Sequence, residues 1–137
     1  MIQPYLFFDG RCEEAIAYYK RHLGAEVMML MHFKDCPDQS MVRPETANKV
    51  MHSCLKIGDS TILASDGMCQ GNAAFQGFSL SITVKDEAEA EKKFAALSDG
   101  GEVRMPLAKT FFAKSFGIVA DRFGVGWMII APAEMPH

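Results

Sequence analysis

The feature that most constrains this chain is that it nearly repeats itself. Displaced by 76 positions, "GAEV" at 24–27 falls on "GGEV" at 100–103, Tyr18 falls on Phe94, and Leu6 falls on Ile82. Each segment closes the same unit: a short apolar run, an amphipathic stretch, a glycine, then a β-rich run. Further on, "IGDSTIL" at 57–63 matches "FGVGWMI" at 123–129 with a displacement of 66. The drop from 76 to 66 implies about ten extra residues in the first half, and the polar stretch 34–49 with its two prolines has the composition of a surface loop. A unit of about 65 residues is marginal on its own. The repeat therefore predicts two small, mutually dependent βαβββ modules, at about 1–66 and 77–132, with a connector at 67–76.

Local patterns agree with that reading. In "FSLSITV", Phe78, Leu80, Ile82 and Val84 alternate with Ser79, Ser81 and Thr83, the period of a strand with one apolar and one polar face. Alternation likewise puts Tyr5 and Phe7 on one face with Gln3, and Leu6 and Phe8 on the face toward the helix. Cys12, Ala15, Ile16, Tyr19 and Leu23 form a helical stripe, as do Ala90, Phe94 and Leu97. Asp86 with Glu89 three residues on reads as a capping box, and Gly100 or Gly101 as the stop of that helix. Of the adjacent Tyr18 and Tyr19, one is expected to pack inward and one to lie near the surface. "FGVGWMII" at 123–130 reads as a turn into a buried last strand.

Bulk properties exclude several classes. The net charge of −3 and the absence of any basic run longer than Lys92-Lys93 argue against nucleic acid as a partner. No apolar stretch approaches the roughly 18 residues of a membrane span, and the first residues lack the layout of a secretory signal, so a cytoplasmic location is expected. Cys12, Cys36, Cys54 and Cys69 show neither CxxC nor zinc-type Cys/His spacing and are read as reduced thiols.

The chain resembles the vicinal oxygen chelate superfamily (the glyoxalase/bleomycin-resistance/dioxygenase fold), and within it the PhnB-like group, also labelled 3-demethylubiquinone-9 3-methyltransferase-like. The resemblance is carried by "PYLFFDGRCEEAIAYYKRHLGAE" at 4–26, "IGDSTILASD" at 57–66 and "TFFAKSFGIVADRFGVGWMI" at 110–129. The last segment is the more specific; relatives usually carry Trp where Phe112 stands. The resemblance implies an α+β fold of paired βαβββ modules whose curved mixed sheets surround a cleft, commonly as a homodimer. It does not imply a methyl donor as cofactor: S-adenosylmethionine is generally held by a glycine-rich strand–helix turn, and no GxGxxG is present. No cofactor is expected.

Relatives with a metal place ligands on the first and last strands of each module. Those positions fall at Gln3, at Ile62 or Leu63, at Ser79 and at Met128. A weak amide oxygen, an alkyl group, a neutral hydroxyl and a thioether do not suit a hard divalent cation, and no carboxylate is there to neutralise it. The superfamily metal is thus expected to be lost. The expected function is binding of a small organic molecule in the cleft between modules, with Gln3, Tyr5, Phe7, His52, Ser79, Phe112 and Trp127 as ligand contacts. Two alternatives stand beside it. One is a metal-dependent lyase or dioxygenase with a displaced ligand set around Gln3 and His52, for which His32, His52 and Asp66 could also supply donors. The other is metal-free acid–base catalysis by His52 and Asp66. Cys54, two residues from His52, reads as a buried inert thiol, and the methionines at 28, 29, 31 and 51 as core filler.

Overall fold

The first strand is three residues, β1 (Tyr5–Phe7), with Leu6 buried beneath it and Tyr5 and Phe7 open to solvent. The computed structural model describes residues 1–67 and 73–133, and the chain divides into two compact units, Met1–Ala73 and Ala74–His137. In the first, β1 is followed by α1 (Cys12–Leu23), β2 (Glu26–His32), β3 (Val50–Ile57) and β4 (Ser60–Ser65). In the second, β5 (Leu80–Thr83) is followed by α2 (Glu87–Ser98), β6 (Glu102–Ala108), β7 (Ala113–Ala120) and β8 (Gly126–Pro132). This is βαβββ twice. The strand orders are β1-β4-β3-β2 and β5-β8-β7-β6, each with one parallel pair (β1 with β4, β5 with β8) and two antiparallel ones.

In the first unit, α1 lays Cys12, Ala15, Ile16, Tyr19 and Leu23 inward, where they join Leu6, Phe8 and Leu55. Burying each of the larger apolar side chains contributes about 1.5–3 kcal/mol. Tyr18 and Tyr19 are both buried, 6% and 0% exposed, which corrects the expectation that one of them faces solvent. Tyr18 is covered by His22, whose ring centroid lies 4.3 Å away.

The two helices stop near matched glycines and begin differently. Gly24 and Gly100, paired by the repeat, both hold left-handed backbone, at φ 66° and 77°, but Gly24 is itself the C-cap of α1, whereas α2 has the extended Asp99 at its C-cap and Gly100 follows it. α2 is capped by Asp86, whose Oδ1 accepts the Glu89 N–H at 2.8 Å. Glu89 reaches back to the Lys85 N–H rather than to that of Asp86, so the expected capping box is shifted by one residue. α1 has Arg11 at its N-cap, with no side-chain cap from it. The missing acceptor is supplied from the end of β4: Asp66 Oδ1 takes the N–H groups of Gly10 and Cys12 at 2.7 and 2.8 Å.

The two units differ in the connection between their second and third strands. Residues 33–49 connect β2 to β3, whereas residues 109–112 connect β6 to β7. The long connection folds as three short 3-10 turns, Phe33–Asp35, Gln39–Met41 and Pro44–Thr46. It is pinned at its base by Phe33 N–H to Lys49 O, by Lys34 N–H to Ala47 O, and by the Lys49 ammonium on Gly10 O at 2.9 Å.

Strand pairing also corrects the displacement between β4 and β8. Leu6 pairs with Ala64 and its counterpart Ile82 pairs with Ile129, so Ala64 corresponds to Ile129, an offset of 65 rather than 66. The cause lies in the turns. Gly58-Asp59 joins β3 to β4, while residues 121–125 join β7 to β8.

Candidate functional site

Each sheet has one face covered by its helix and one face that the helix does not cover. In the first unit the open face carries Gln3, Tyr5 and Phe7 from the first strand, Thr61 and Leu63 from β4, and His52 and Cys54 from β3. Tyr5 and Phe7 stack with centroids 4.8 Å apart and planes 20° from parallel, and both remain exposed, at 37% and 53%. The Tyr5 hydroxyl lies 2.7 Å from Nδ1 of the half-buried His52, and the two rings are 5.5 Å apart. Phe7 is backed by Gly67, which has φ +55°; a Cβ there would meet Phe7 Cδ1 at 2.9 Å. The Gln3 amide donates to the Thr61 hydroxyl. An aromatic shelf with an imidazole at one side can stack a flat molecule and offer it one oriented hydrogen-bonding group.

His32, His52 and Asp66, the other candidate metal donors, do not converge. Asp66 is 1% exposed, and besides Gly10 and Cys12 it takes the Val50 N–H on Oδ2 at 2.8 Å. It is an internal acceptor for three backbone donors, not a base held toward a ligand. His32 bonds Glu13 of α1 through Nε2 and lies 3.7 Å from Asp35 through Nδ1, whereas His52 is engaged by Tyr5 on the open face. Among the described residues no group of three or more His, Cys, Asp or Glu is placed to hold a metal.

The superfamily positions can be read module by module. In the first they are Gln3 and Leu63; Ile62 is 6% exposed on the helix side and drops out. In the second they are Ser79 and Met128. The Ser79 hydroxyl packs over Gly126, where a Cβ would approach it to 2.8 Å, and this mirrors Gln3 over Thr61. Met128 pairs with Ser81 and Ile118 and lies half-buried. This donor set does not fit a hard divalent cation: it contains an amide already donating to Thr61, a hydroxyl, a thioether and an alkyl group.

In the second unit the open face is mainly apolar: Met128, Ile130, Ile118 and Phe116, edged by the exposed Ser81 and Thr83. Phe112 lies at this sheet's edge, 43% exposed, with its ring 5.2 Å from Phe116 and 5.1 Å from the almost fully exposed Phe111. Trp127 is not on that face. It is 3% exposed, and its indole N–H donates to Asp121 Oδ2 at 2.9 Å, which makes it a core residue and removes it from the ligand contacts. Asp121 Oδ1 also accepts from Phe123 and Val125, so this carboxylate holds the β7–β8 turn. Neither the role of Asp121 nor the partnership of Tyr5 with His52 has a signal in the sequence alone.

Cys12, Cys36 and Cys54 are free thiols; Cys69 lies outside the described residues. Burial, and secondarily the neighbouring Asp66 carboxylate, push the Cys12 thiol far up. It is inert as a nucleophile at neutral pH. Cys54 is half-buried rather than buried.

Two mixed four-stranded sheets of identical order, each with one helix, define a glyoxalase/bleomycin-resistance fold. Residues 1–130 match the family model described as 3-demethylubiquinone-9 3-methyltransferase, and the chain belongs to that family, the PhnB-like group of the fold. It is 37% identical to protein YjdN of Escherichia coli (strain K12), over 98% of this chain and 97% of that one. It is also similar to the crystal structure of protein PA1353 from Pseudomonas aeruginosa, with 41% identity, a TM-score of 0.84, and coverage of 95% of this chain and 96% of the other. The putative 3-demethylubiquinone-9 3-methyltransferase, PhnB protein, from Bacillus cereus shares the fold at 24% identity and a TM-score of 0.78, over 94% and 97% of the two chains.

Proposed function

We propose that this protein binds a small, flat, partly apolar organic molecule on the open face of its first sheet, without the superfamily metal. The observation that carries the reading is the exposed Tyr5–Phe7 stack with His52 hydrogen-bonded at its side. Exposed aromatic rings cost free energy in water and recover it when a flat ligand covers them. The second sheet's face, with Phe112 at its edge and Ser79 at its start, provides a further apolar surface of the kind such ligands contact.

The family description names a methyl transfer. The described residues form two mixed sheets rather than the parallel sheet and glycine-rich turn that usually hold the methyl donor, which supports binding over that chemistry. The acid–base alternative would fall to His52 and Tyr5, because Asp66 is occupied by three backbone donors. The protein is proposed to act as a cytoplasmic homodimer; among the described residues no helix is long and apolar enough to cross a membrane.

The test has two parts. Protein purified without chelators is assayed for bound metals, and a library of aromatic fragments is screened by NMR against isotope-labelled protein. Substoichiometric metal, with fragments that shift the Tyr5, Phe7 and His52 resonances, is the expected result. One bound Mn, Fe, Ni or Zn per chain would refute the metal-free reading, and fragments that leave those three residues unmoved would refute the site.

A further inference from the structure

The imidazole of His52 has two nitrogens, and a hydrogen bond to one decides what the other can do. Nδ1 faces the Tyr5 hydroxyl at 2.7 Å. A phenol is the better donor of this pair, and a neutral imidazole nitrogen without a proton is the better acceptor. With the Tyr5 O–H on Nδ1, the ring proton resides on Nε2. Among the described residues nothing else is hydrogen-bonded to this imidazole. The support continues outward from the ring: Tyr5 is stacked on Phe7, and Gly67 leaves the room that the Phe7 ring occupies, since a Cβ there would meet Phe7 Cδ1 at 2.9 Å.

Resting on the binding reading above, we infer that Tyr5 is a positioning residue that presents the Nε2–H of His52 to an oxygen acceptor on the ligand. The face therefore selects small planar molecules that carry a carboxylate or carbonyl. Such a ligand stacks on the Tyr5–Phe7 shelf and accepts one hydrogen bond at its edge. A bond of this kind to a charged acceptor is worth about tenfold in affinity.

The experiment uses the full chain and two probes, benzoate and toluene, titrated by NMR, with histidine ring nitrogens read from long-range proton–nitrogen spectra. In the wild type, benzoate is expected to bind about tenfold more tightly than toluene, and the neutral His52 ring to be a single Nε2–H tautomer. Tyr5→Phe keeps the ring on Phe7 and removes only the hydroxyl. It should erase the preference for benzoate over toluene and give a mixture of tautomers. If Tyr5→Phe leaves the tautomer and the benzoate preference as they were, the inference is overturned while the binding reading stands. If neither probe perturbs this face in the wild type, the binding reading fails and the inference with it.

Discussion

Asp66→Asn should destabilise the protein substantially. The substitution changes one oxygen to an NH2 group at a side chain that is 1% exposed. Of the two carboxylate oxygens, one serves Gly10 and Cys12 and the other serves Val50, at 2.7–2.8 Å. An asparagine keeps its single oxygen on the pair at the start of α1, where two bonds are satisfied. Its NH2 must then face the Val50 N–H, donor against donor. One buried N–H loses its partner, at about 1–3 kcal/mol, and two surviving bonds lose the strengthening that a charged acceptor gives. The sum is about 2–4 kcal/mol, a large share of the 5–15 kcal/mol typical of a domain. Asp66→Ala strands all three donors and should cost more. Urea unfolding followed by circular dichroism reads the change as a midpoint lowered by about 1–2 M at an m-value of roughly 2 kcal/mol/M. A variant within about 0.5 kcal/mol of wild type would refute the account of Asp66 as a structural acceptor. It would also restore the carboxylate to consideration as a functional group, above all if some activity were lost at unchanged stability.

Other outcomes follow from contacts already described. Gly101→Ala would bring a Cβ to 2.2 Å from the Ala120 carbonyl oxygen and should abolish or severely reduce soluble folded protein; Gly58→Ala meets nothing within 4 Å and should cost only the left-handed strain of about 1–2 kcal/mol, a contrast that thermal melts resolve. Trp127→Phe should cost about 1–3 kcal/mol by leaving Asp121 Oδ2 short of a donor, with fragment binding at the first sheet's face unchanged. In native protein at pH 8, alkylation monitored by mass spectrometry should spare Cys12 while Cys54 and Cys36 react. The same thiol carries a pH signature. Its folded-state value is raised above the ordinary 9.0, so above that pH the unfolded chain releases a proton that the native chain keeps. Stability should therefore fall with rising pH there, by about 1.4 kcal/mol per unit for this group, and Cys12→Ser should flatten the slope.

The architecture was legible because duplication leaves two readings of one pattern. Period-two alternation put Leu6 and Phe8 in the core and Tyr5 and Phe7 outside it, and the glycine match found both helix stops. Errors arose where a turn of unknown length intervened. A strand slipped by one residue exchanges its faces. Trp127 and Met128 are neighbours, so only one can look outward, and the longer β7–β8 turn, stapled by Asp121, settles that in favour of Met128. The role of Asp66 was hidden for a different reason. Two of its three partners lie 54 and 56 residues upstream, and no local pattern encodes contacts at that separation. The Tyr5–His52 bond spans 47 residues and is hidden in the same way, although each residue is by itself a candidate contact.

Both sheets share strand order, and the register of the first three strands of each order, so those positions in one have an address in the other. Tyr5 maps to Ser81, and His52 maps to Phe116, through the pairing of Ser53 with Ala64 and of Gly117 with Ile129. Ser81→Tyr together with Phe116→His would graft a second phenol–imidazole couple onto a scaffold that already has the right spacing. An ancestor with two identical halves would have carried such a couple twice or not at all. What stands now is an asymmetry, with a phenol–imidazole couple in one sheet and a serine and a phenylalanine at the same addresses in the other.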